Sequence, residues 1–299
     1  MIEPMLAETA KEIPKANGGH LFQVKVDGNR ACLYLDSTTK IINRYGKDVT
    51  RNFPELANLH KQARQPMVID GEIKGKSFKL TQSRTQLSTP FKVEMAVKTN
   101  PCRFHAFDCL VLDGREVWRE MQTARNEMLF ENWVDSEAGF KLPYFDDGVK
   151  LFEEVMKEGG EGIMAKLKVA SYTPGKRSSA WLKVKNFVEE ADLWIIAVTR
   201  GGGRREGTFG SCLLARLVDG RLKYVGNAGS GLNDQELLWL DKRLGKEIKE
   251  GEKRVEGEDI KFWLAQPVRV GDLGFEIRHT LTGVEGDDKL RFPTFRRKR

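Results

Sequence analysis

The stretch Lys25-Val26-Asp27-Gly28-Asn29-Arg30 follows directly on a short apolar run, Leu21-Phe22-Gln23-Val24. A lysine at the end of a predicted strand, followed by a carboxylate, a glycine turn and an arginine, suits covalent chemistry on a nucleotide, with the lysine amine as nucleophile. The glycine lets the backbone approach a ligand closely, and the arginine offers a planar fork to phosphate or sugar oxygens. Alone, such a run is equally typical of a solvated strand and turn.

Length and composition predict a globular protein of two domains. The chain has 299 residues, 40% of them apolar, which is enough to fill two cores. Its net charge of +7 fits a polyanionic partner. The scattered cysteines lack metal-ligand spacing, so we expect reduced, mostly buried thiols and no zinc site. Neither an export signal nor a membrane-spanning stretch is visible, so we expect a cytoplasmic protein with no membrane partner.

The first two-thirds of the chain is predicted to mix antiparallel strands with helices, an α+β arrangement. Leu21–Val26 and Ala31–Leu35 are expected to form a hairpin around Asp27-Gly28. Further strands are predicted at Met67–Ile73, Arg103–Leu112, Gly162–Lys168 and Ala180–Lys185. Apolar residues at helical spacing predict one helix from Val149 to Met156, ending at Gly159-Gly160, and another within Glu116–Val134.

Near Asn186 the sequence pattern changes from mixed strands and helices to a short acidic connector and then strand-like runs. This change predicts a first domain over residues 1–187 and a second over 188–299. The second part has four predicted strands, Leu193–Thr199, Ser211–Leu217, Leu222–Gly226 and Val268–Ile277. Asn233 and Glu236 predict a capping box at the start of a helix. Its apolar stripe is Leu237, Leu240, Leu244 and Ile248. Short strands with one helix suit a small Greek-key barrel of the OB type.

Five motifs follow Lys25 in order, namely Asn43-Arg44-Tyr45-Gly46, Ile69-Asp70-Gly71-Glu72-Ile73, Phe104-His105-Ala106-Phe107-Asp108, Glu161-Gly162-Ile163-Met164-Ala165-Lys166 and Trp181-Leu182-Lys183-Val184-Lys185. With them the chain resembles the covalent nucleotidyltransferase superfamily, and most closely the ATP-dependent DNA ligases. Phe209-Gly210-Ser211, Gly229-Ser230-Gly231-Leu232 and 290–295 resemble the OB domain of small bacterial and end-joining ligases. The resemblance implies a nucleotidyltransferase domain of ATP-grasp-like antiparallel sheets with helices, followed by an OB-fold barrel.

The resemblance also implies an activity. Lys25 would attack ATP, release pyrophosphate and carry AMP as a lysyl-AMP. The adenylate would pass to the 5′-phosphate of a nick in duplex DNA, and the adjacent 3′-hydroxyl would then displace AMP. The expected cofactors are ATP and Mg²⁺, with Mn²⁺ able to substitute. The expected partner is nicked double-stranded DNA, bound by a monomer whose second domain pivots near Asp192.

The nucleophile must lose its proton in the site, because an unperturbed lysine with a pKa of ~10.4 is charged at neutral pH. Nearby cations lower such a pKa. Lys183 and Lys185, alternate residues on one face of a strand, can supply that field. They would also hold the α-phosphate of ATP. Without the other motifs, two solvated strand lysines would be the simpler interpretation.

Acidic residues are candidates for the metal and the sugar. Glu161 is the predicted Mg²⁺ ligand, because Mg²⁺ prefers oxygen donors. The resemblance assigns Glu72 chiefly to the ribose hydroxyl, with some metal contact. Asp27 is a candidate for metal or for the Lys25 amine, and an ordinary turn aspartate is the alternative. Asp70 is expected to face away and make structural hydrogen bonds.

The base and sugar have their own candidates. The resemblance implies that Phe107 stacks on adenine and that Met164 covers part of the other face, although core packing is the usual role of either residue type. Gln23 points to the same side of its strand as Lys25, and its amide can pair with the adenine N6 amine and a ring nitrogen. Arg30 is expected to reach the ribose or phosphate.

DNA contacts are predicted to be sequence-blind phosphate contacts. Arg44 resembles the family arginine that grips the 5′-phosphate at the nick. The loop Arg200-Gly-Gly-Gly-Arg204-Arg205 is a candidate clamp, with a flexible solvated loop as the alternative. The basic tail, Arg291 and 296–299, is a further candidate. In that tail Arg299 aligns with the family's Arg-x-Asp-Lys motif without its Asp and Lys, which predicts an altered first step.

Two enzyme rivals share the lysine motif, an RNA ligase and a capping-type guanylyltransferase. The OB motifs argue against both. A third interpretation is a nick-binding protein with impaired catalysis, which would bind duplex DNA tightly and form no covalent adenylate.

Overall fold

The structure is a computed structural model, and it describes residues 1–15, 19–255, 258–280 and 289–298. The chain folds into two compact units, Met1–Lys185 and Asn186–Arg299. Within the described ranges, no helix has the length and apolar character needed to cross a membrane. All four cysteines are free thiols, and all four are buried, as the sequence analysis expected of most of them.

The first unit contains ten strands and four helices within the described residues. The strands are β1 Leu6–Thr9, β2 His20–Val24, β3 Asn29–Leu35, β4 Thr39–Asn43, β5 Met67–Lys74, β6 Arg103–Leu112, β7 Arg115–Glu116, β8 Gly139–Lys141, β9 Gly162–Leu167 and β10 Arg177–Lys185. The helices are α1 Phe78–Arg84, α2 Pro90–Thr99, α3 Gln122–Asn132 and α4 Gly148–Lys157.

Two sheets organise this unit. The smaller has the order β1-β10-β9-β2, and the larger runs β4-β3-β5-β6-β7 with β8 beside β6. Apart from the parallel pairs β1–β10 and β6–β8, the ladders are antiparallel. The main core covers the larger sheet and includes the fully buried Leu33, Ile69 and Phe104. A second apolar cluster packs α4 against the back of the smaller sheet.

The predicted hairpin of β2 and β3 is wrong, because the two strands belong to different sheets. The Lys25 N–H donates to the Gly162 carbonyl, so the chain goes on pairing with β9 beyond β2. The chain then crosses to β5, and Gly28 lies so close that a Cβ would stand 2.2 Å from the Ile73 carbonyl oxygen. Asp27-Gly28 therefore carries the chain from one sheet to the other, which places Lys25 where the two sheets meet.

The other predicted elements of this unit are largely confirmed. β5, β6 and β9 lie where the apolar runs placed them, and β10 begins three residues earlier than Ala180. α4 lies where the sequence predicted a helix, and the Asp147 side chain caps its first turn. Its apolar face differs from the predicted one, because Leu151 is buried beside Val155 while Val149 is exposed. α3 begins only at Gln122, because Val117–Arg119 forms a short 3₁₀ turn instead.

The second unit contains eight strands and one helix in its described part. The strands are β11 Phe187–Glu190, β12 Trp194–Arg200, β13 Phe209–Val218, β14 Arg221–Ala228, β15 Ile248–Val255, β16 Glu258–Arg269, β17 Phe275–Thr280 and β18 Arg291–Arg297, and the helix is α5 Asp234–Gly245. They form a five-stranded sheet, β14-β13-β12-β16-β15, and a three-stranded sheet, β11-β17-β18. Both sheets and α5 contribute to one buried core, which includes Ile195, Leu214, Leu240 and Phe275.

Sequence predictions for this unit were right at its helix start and wrong at two other places. The capping box of Asn233 and Glu236 is confirmed. However, α5 ends at Gly245, so Ile248 begins β15 and does not extend the helical stripe. The predicted strand Val268–Ile277 is broken, because Val270–Leu273 turns and Gly274 adopts a φ of 76° before β17 begins.

Candidate active site

The front face of the smaller sheet carries the candidate residues. Met164 on β9 pairs with Lys183 on β10 and with Gln23 on β2. Directly paired residues on adjacent strands point to the same face of a sheet. Neighbouring residues such as Phe22 and Ile163 therefore point to the back, where they are fully buried against α4. The period-two pattern thus separates a packed back face from a polar front face.

The next set of paired residues on the front face, two positions along the strands from Gln23, Met164 and Lys183, contains the predicted nucleophile. Lys185 pairs with Gly162, whose carbonyl accepts the Lys25 N–H at 2.9 Å. Gly162 has no side chain between the two lysines, so both amines reach the adjoining Glu161. Its carboxylate accepts hydrogen bonds from Lys25 Nζ and, at 2.5 Å, from Lys185 Nζ. The front face therefore brings together Lys25, Glu161, Lys183 and Lys185, as the sequence analysis expected of one site.

Glu161 is an ionised carboxylate between two ammonium groups. Its side chain is 3% exposed. Burial acts to raise the pKa of Glu161, but the charges of Lys25 and Lys185 outweigh it and leave that pKa below its usual value. Lys185 competes for this carboxylate, so the pairing of Lys25 depends on its neighbour.

Lys183 stands in the same field of positive charge. Burial lowers the pKa of Lys183, and the charges of Lys185, Arg177 and Lys25 lower it further. An ammonium in such surroundings gains most from an added anion, because phosphate oxygens would relieve the mutual repulsion of the cations. This edge of the sheet is therefore suited to binding a polyphosphate.

Glu72 lies on β5, opposite Arg30 in the register. Burial raises the pKa of Glu72 to about 8, although Arg30 and Lys25 act to lower it. Without ligand the carboxyl is then mostly protonated at neutral pH, and a protonated carboxyl can donate a hydrogen bond as well as accept one. Its environment suits the predicted contact with a ribose hydroxyl. The negative charge of Asp27 also acts on Glu72, so these two acids are neighbours.

The donor set fits a hard divalent cation such as Mg²⁺, which binds one or two carboxylates together with phosphates and water. Glu161 provides an ionised carboxylate, and the charges of Lys25 and Asp27 both act on Glu72. No group of three His, Cys, Asp or Glu side chains is arranged as a cation cage in the part of the chain that the structure describes. The phosphates of a nucleotide would have to complete the coordination.

Arg30 is held beside the predicted base pocket. Its Nε and Nη2 donate to the two oxygens of Asp70 at 2.6 and 2.5 Å. Burial opposes the charge of Arg30, but Asp70 raises the pKa of the guanidinium well above its ordinary value. Asp70 also accepts the Tyr172 hydroxyl at 2.7 Å, so it makes the expected structural hydrogen bonds. It does not face away as predicted, because it shares a strand face with Glu72 and binds Arg30. The predicted contact of Arg30 with ribose or phosphate stays a prediction.

The three base-binding candidates are enclosed. Phe107 is 9% exposed and meets the edge of the Trp181 ring, with Met164 packed in the same cluster. Gln23 is 1% exposed, and its Nε2 donates to the Leu142 carbonyl at 3.1 Å. Gln23 and Met164 lie on the front face, in the row next to the Lys25 amine. Their contacts with adenine stay predictions.

Sequence reasoning missed the buried polar network behind this pocket. Arg125 donates to both oxygens of Asp108, at 2.7 and 2.9 Å. Gln122 joins them and accepts the indole N–H of Trp181 at 2.8 Å. The network joins three separate elements, β6, α3 and β10, so no local pattern connects all of its residues. Lys166 was also missed, although it lies two residues beyond Met164 and period-two spacing places it on the same face.

Comparisons with known proteins agree with this geometry. The family profile described as "ATP dependent DNA ligase domain" matches residues 4–185, and that described as "ATP dependent DNA ligase C terminal region" matches residues 205–299. The chain belongs to the ATP-dependent DNA ligase family. The predicted family resemblance is thereby confirmed.

Curated relatives of this ligase-family chain carry the name DNA ligase. That of Halorubrum lacusprofundi is 29% identical over 98% of this chain and 52% of its own length. That of Methanoculleus marisnigri is 30% identical over 93% of this chain and 50% of its own length. The chain thus spans about half the length of the curated relatives it matches.

Solved ligase structures share the fold. One, titled "DNA binding with a minimal scaffold: Structure-function analysis of Lig E DNA ligases", has a TM-score of 0.66 at 22% identity, covering 100% of both chains. Another, a mycobacterial DNA ligase D complexed with ATP and MES, has a TM-score of 0.55 at 24% identity and covers 100% of this chain and 95% of the other. The α+β fold class, a nucleotidyltransferase domain with an OB-fold domain, is confirmed.

The ligase-family chain displays Arg44 on a rigid turn. The Asn43 side-chain oxygen accepts the N–H groups of Tyr45 and Lys47, both at 3.0 Å, which fixes the turn after β4. Arg44 and Tyr45 are exposed, with the guanidinium carbon 5.4 Å from the tyrosine ring centroid. The Arg44 N–H donates to the Arg30 carbonyl at 3.2 Å, so this turn adjoins the strand of the nucleotide pocket. DNA binding by Arg44 stays a prediction.

The arginines of the 200–205 loop differ from one another. Arg205 turns inward, and its Nη1 donates to the carbonyls of Gly210, at 2.9 Å, and of Gly229. Arg204 is exposed. Arg200 lies 4.5 Å from the Phe262 ring at a pocket of about 560 Å³. Arg204 and Arg200 are therefore better placed than Arg205 to meet phosphate. The Arg291 side chain and Arg299 lie outside the described residues.

Proposed function

We propose that this protein is an ATP-dependent DNA ligase that joins the 5′-phosphate and 3′-hydroxyl of nicked duplex DNA through a lysyl-AMP on Lys25. The observation that carries the proposal is the front face of the smaller sheet, where Lys25, Glu161 and Lys185 meet in a chain of this family. A nucleophilic amine beside two further lysines and a carboxylate is the arrangement that nucleotidyl transfer needs.

In the first step, the Lys25 amine attacks the α-phosphorus of ATP. The P–N bond forms as the bond to the pyrophosphate oxygen breaks, and pyrophosphate leaves with its electron pair. Lys25 must first release its proton to water, and in the structure its amine is paired with the Glu161 carboxylate. Lys185 already shares the Glu161 carboxylate. The carboxylate can therefore shift onto Lys185, which leaves the Lys25 amine without its anionic partner and next to the charges of Lys183 and Lys185.

Mg²⁺, with Mn²⁺ able to substitute, would be held by Glu161 with help from Glu72 or Asp27. When bound, the cation would supply charge neutralisation of the phosphates. The chain's own part is to present an ionised oxygen donor next to the nucleophile.

The remaining residues position the nucleotide. Lys183 and Lys185 bind the α-phosphate and stabilise the charge that develops in the transition state. Glu72 hydrogen-bonds the ribose hydroxyls, and Phe107 stacks on the adenine. The enclosed Gln23 amide favours adenine over guanine. Arg30 supports the sugar from its fixed position on Asp70.

Nicked DNA is held by phosphate contacts in both domains. Arg44 grips the 5′-phosphate, while Arg200 and Arg204 reach the duplex backbone from the second domain. The protein acts as a cytoplasmic monomer. Its second domain closes for the first step and rotates for the later ones, by a pivot near Asp192.

The test is sealing of a singly nicked, 5′-phosphorylated duplex with ATP and Mg²⁺, beside Lys25→Ala. Lys40→Ala is the matched control, because Lys40 is an exposed lysine on β4. We expect wild type and Lys40→Ala to seal and to acquire label from [α-³²P]ATP, and Lys25→Ala to do neither. Label from GTP in place of ATP would favour the capping rival, which family membership does not favour.

A pre-adenylated nick separates the steps. Sealing of that substrate alone would locate a defect in the first step, the transfer of AMP to Lys25. No sealing of either substrate, with salt-sensitive duplex binding, would overturn the ligase proposal in favour of a nick-binding protein.

A further inference from the structure

Lys166 is a buried lysine at the far end of the front face. Its side chain is among the largest that are fully buried, at 1% exposure. It pairs with Trp181 in the register, one row beyond Met164 and Lys183. Nothing in the proposed chemistry uses it, because it lies two rows from the Lys25 amine and faces the predicted base pocket.

Aromatic rings surround the Lys166 amine. Nζ lies 4.5 Å from the ring centroid of Phe107 and 4.2 Å from that of Trp181. It also lies 5.7 Å from the Tyr144 ring and donates to the Phe107 carbonyl oxygen at 3.0 Å. Both the main chain and the ring of Phe107 are therefore held by one amine.

No carboxylate oxygen lies within 4.0 Å of this amine among the residues that the structure describes. Burial lowers the pKa of Lys166 to about 7. The charged groups that face it are Asp108 and Asp70, which act to raise that pKa, and Arg30 and Arg125, which lower it. Both carboxylates already bind arginines, so Lys166 depends on the rings and on one carbonyl for its stabilisation.

A methionine of similar length would fill this space without the cost of burying an amine. The ammonium provides two interactions that a thioether cannot, a hydrogen bond to the Phe107 carbonyl and a cation–π contact with its ring. Both interactions act on Phe107, the ring that the proposed function places against adenine. The second cation near that ring, Arg30, is fixed by Asp70 at 4.8 Å from the centroid, so it does not replace them.

We propose that Lys166 is a positioning residue of the nucleotide pocket, which holds the ring and main chain of Phe107 in the orientation that stacks on the purine. This inference rests on the proposed function, because the orientation of Phe107 matters only if a purine nucleotide enters the pocket. Lys166 does not touch the reacting atoms. It acts through Phe107, and its charged form holds that residue more firmly than its neutral form.

The test measures equilibrium binding of an ATP analogue with a methylene bridge between the α and β phosphates, which cannot transfer AMP. Calorimetry at pH 6.5 and 8.5 compares wild type, Lys166→Met and Lys166→Gln. Lys168→Met is the matched control, because Lys168 follows β9 in the chain but pairs with Asp146 at the surface. Ratios of Kd between variant and wild type cancel the titration of the ligand and of other lysines.

We expect Lys166→Met to raise Kd about tenfold at pH 6.5, where wild-type Lys166 is charged, and about twofold at pH 8.5, where it is largely neutral. Lys166→Gln, which keeps a donor for the Phe107 carbonyl, should give an intermediate ratio at pH 6.5. Lys168→Met should stay within about twofold at both values. Should Lys166→Met fail to fold, the glutamine variant carries the test.

Equal affinities of wild type and both variants at pH 6.5, or a ratio that does not change with pH, would overturn the role of Lys166 and leave the ligase proposal standing. A merely structural role would lower the melting temperature without this pH-dependent ratio. A wild type that neither binds the analogue nor forms lysyl-AMP from ATP would overturn the proposed function, and this inference with it.

Discussion

Single residues determine how the proposed nucleophile is paired. The Glu161 carboxylate accepts hydrogen bonds from both Lys25 and Lys185. Removing Lys185 would therefore have two effects in one direction. The Glu161 carboxylate would pair with Lys25 alone, which ties the nucleophilic amine to the carboxylate, and the α-phosphate would lose a cation.

We predict that Lys185→Met slows lysyl-AMP formation by about 100-fold, the usual scale for losing one group that stabilises the transition state. Single-turnover labelling with [α-³²P]ATP measures the rate. Lys176→Met, at an exposed lysine just before β10, should react like wild type. A Lys185 variant within threefold of that control would contradict the prediction.

Lys166 also predicts how stability depends on pH. Its pKa is about 7 in the folded chain and ~10.4 when unfolded, so the unfolded state binds more protons between these values. The destabilisation is full below pH 7 and is relieved as pH rises toward 10. The free energy of unfolding of wild type relative to Lys166→Met should then rise by up to ~1.4 kcal/mol per pH unit. Urea unfolding from pH 6.5 to 9 checks this, and parallel curves for the two proteins would exclude it.

At the scale of elements, α4 supports the sheet from behind the site. Gly148 in its first turn lies against Phe22, and a Cβ there would come within 2.4 Å of the Phe22 ring. We predict that Gly148→Ala destabilises the first unit by about 1–3 kcal/mol, because overpacking outweighs the better helix propensity of alanine. Gly245→Ala at the end of α5 meets open space and should be neutral or stabilising. Thermal melts of both variants make the comparison, and equal melting temperatures would refute it.

Sequence patterns predicted where strands and helices lie better than which strands pair with each other. The apolar runs of β5 and β6 were placed correctly, because a run of mostly buried residues is a local signal. The hairpin at Asp27-Gly28 was wrong because the choice of partner for β2 is settled by β9, which comes more than a hundred residues later. The carboxylate pairing of Lys25 escaped prediction for the same reason. Lys183 and Lys185 are two residues apart in one strand, so the sequence alone predicted that they share a face of the sheet.

At the scale of the whole molecule, the net charge of +7 and exposed arginines in both units favour a polyanion as partner. Arg44 lies in the first unit and Arg204 in the second, and both are exposed. If the protein holds one duplex with both units at once, each arginine neutralises a separate phosphate. Their effects on salt dependence must then add.

We therefore predict that Arg44→Ala and Arg204→Ala each reduce the slope of log K against log salt concentration by about 1 for nicked duplex binding, and that the double variant reduces it by about 2. Fluorescence anisotropy from 50 to 300 mM salt measures the slopes. Arg115→Ala removes an exposed arginine on β7 to which no DNA contact is assigned, so its slope should match wild type. A double variant no different from the single ones would mean that the two units do not hold the same duplex together, because each phosphate contact releases its own counterion.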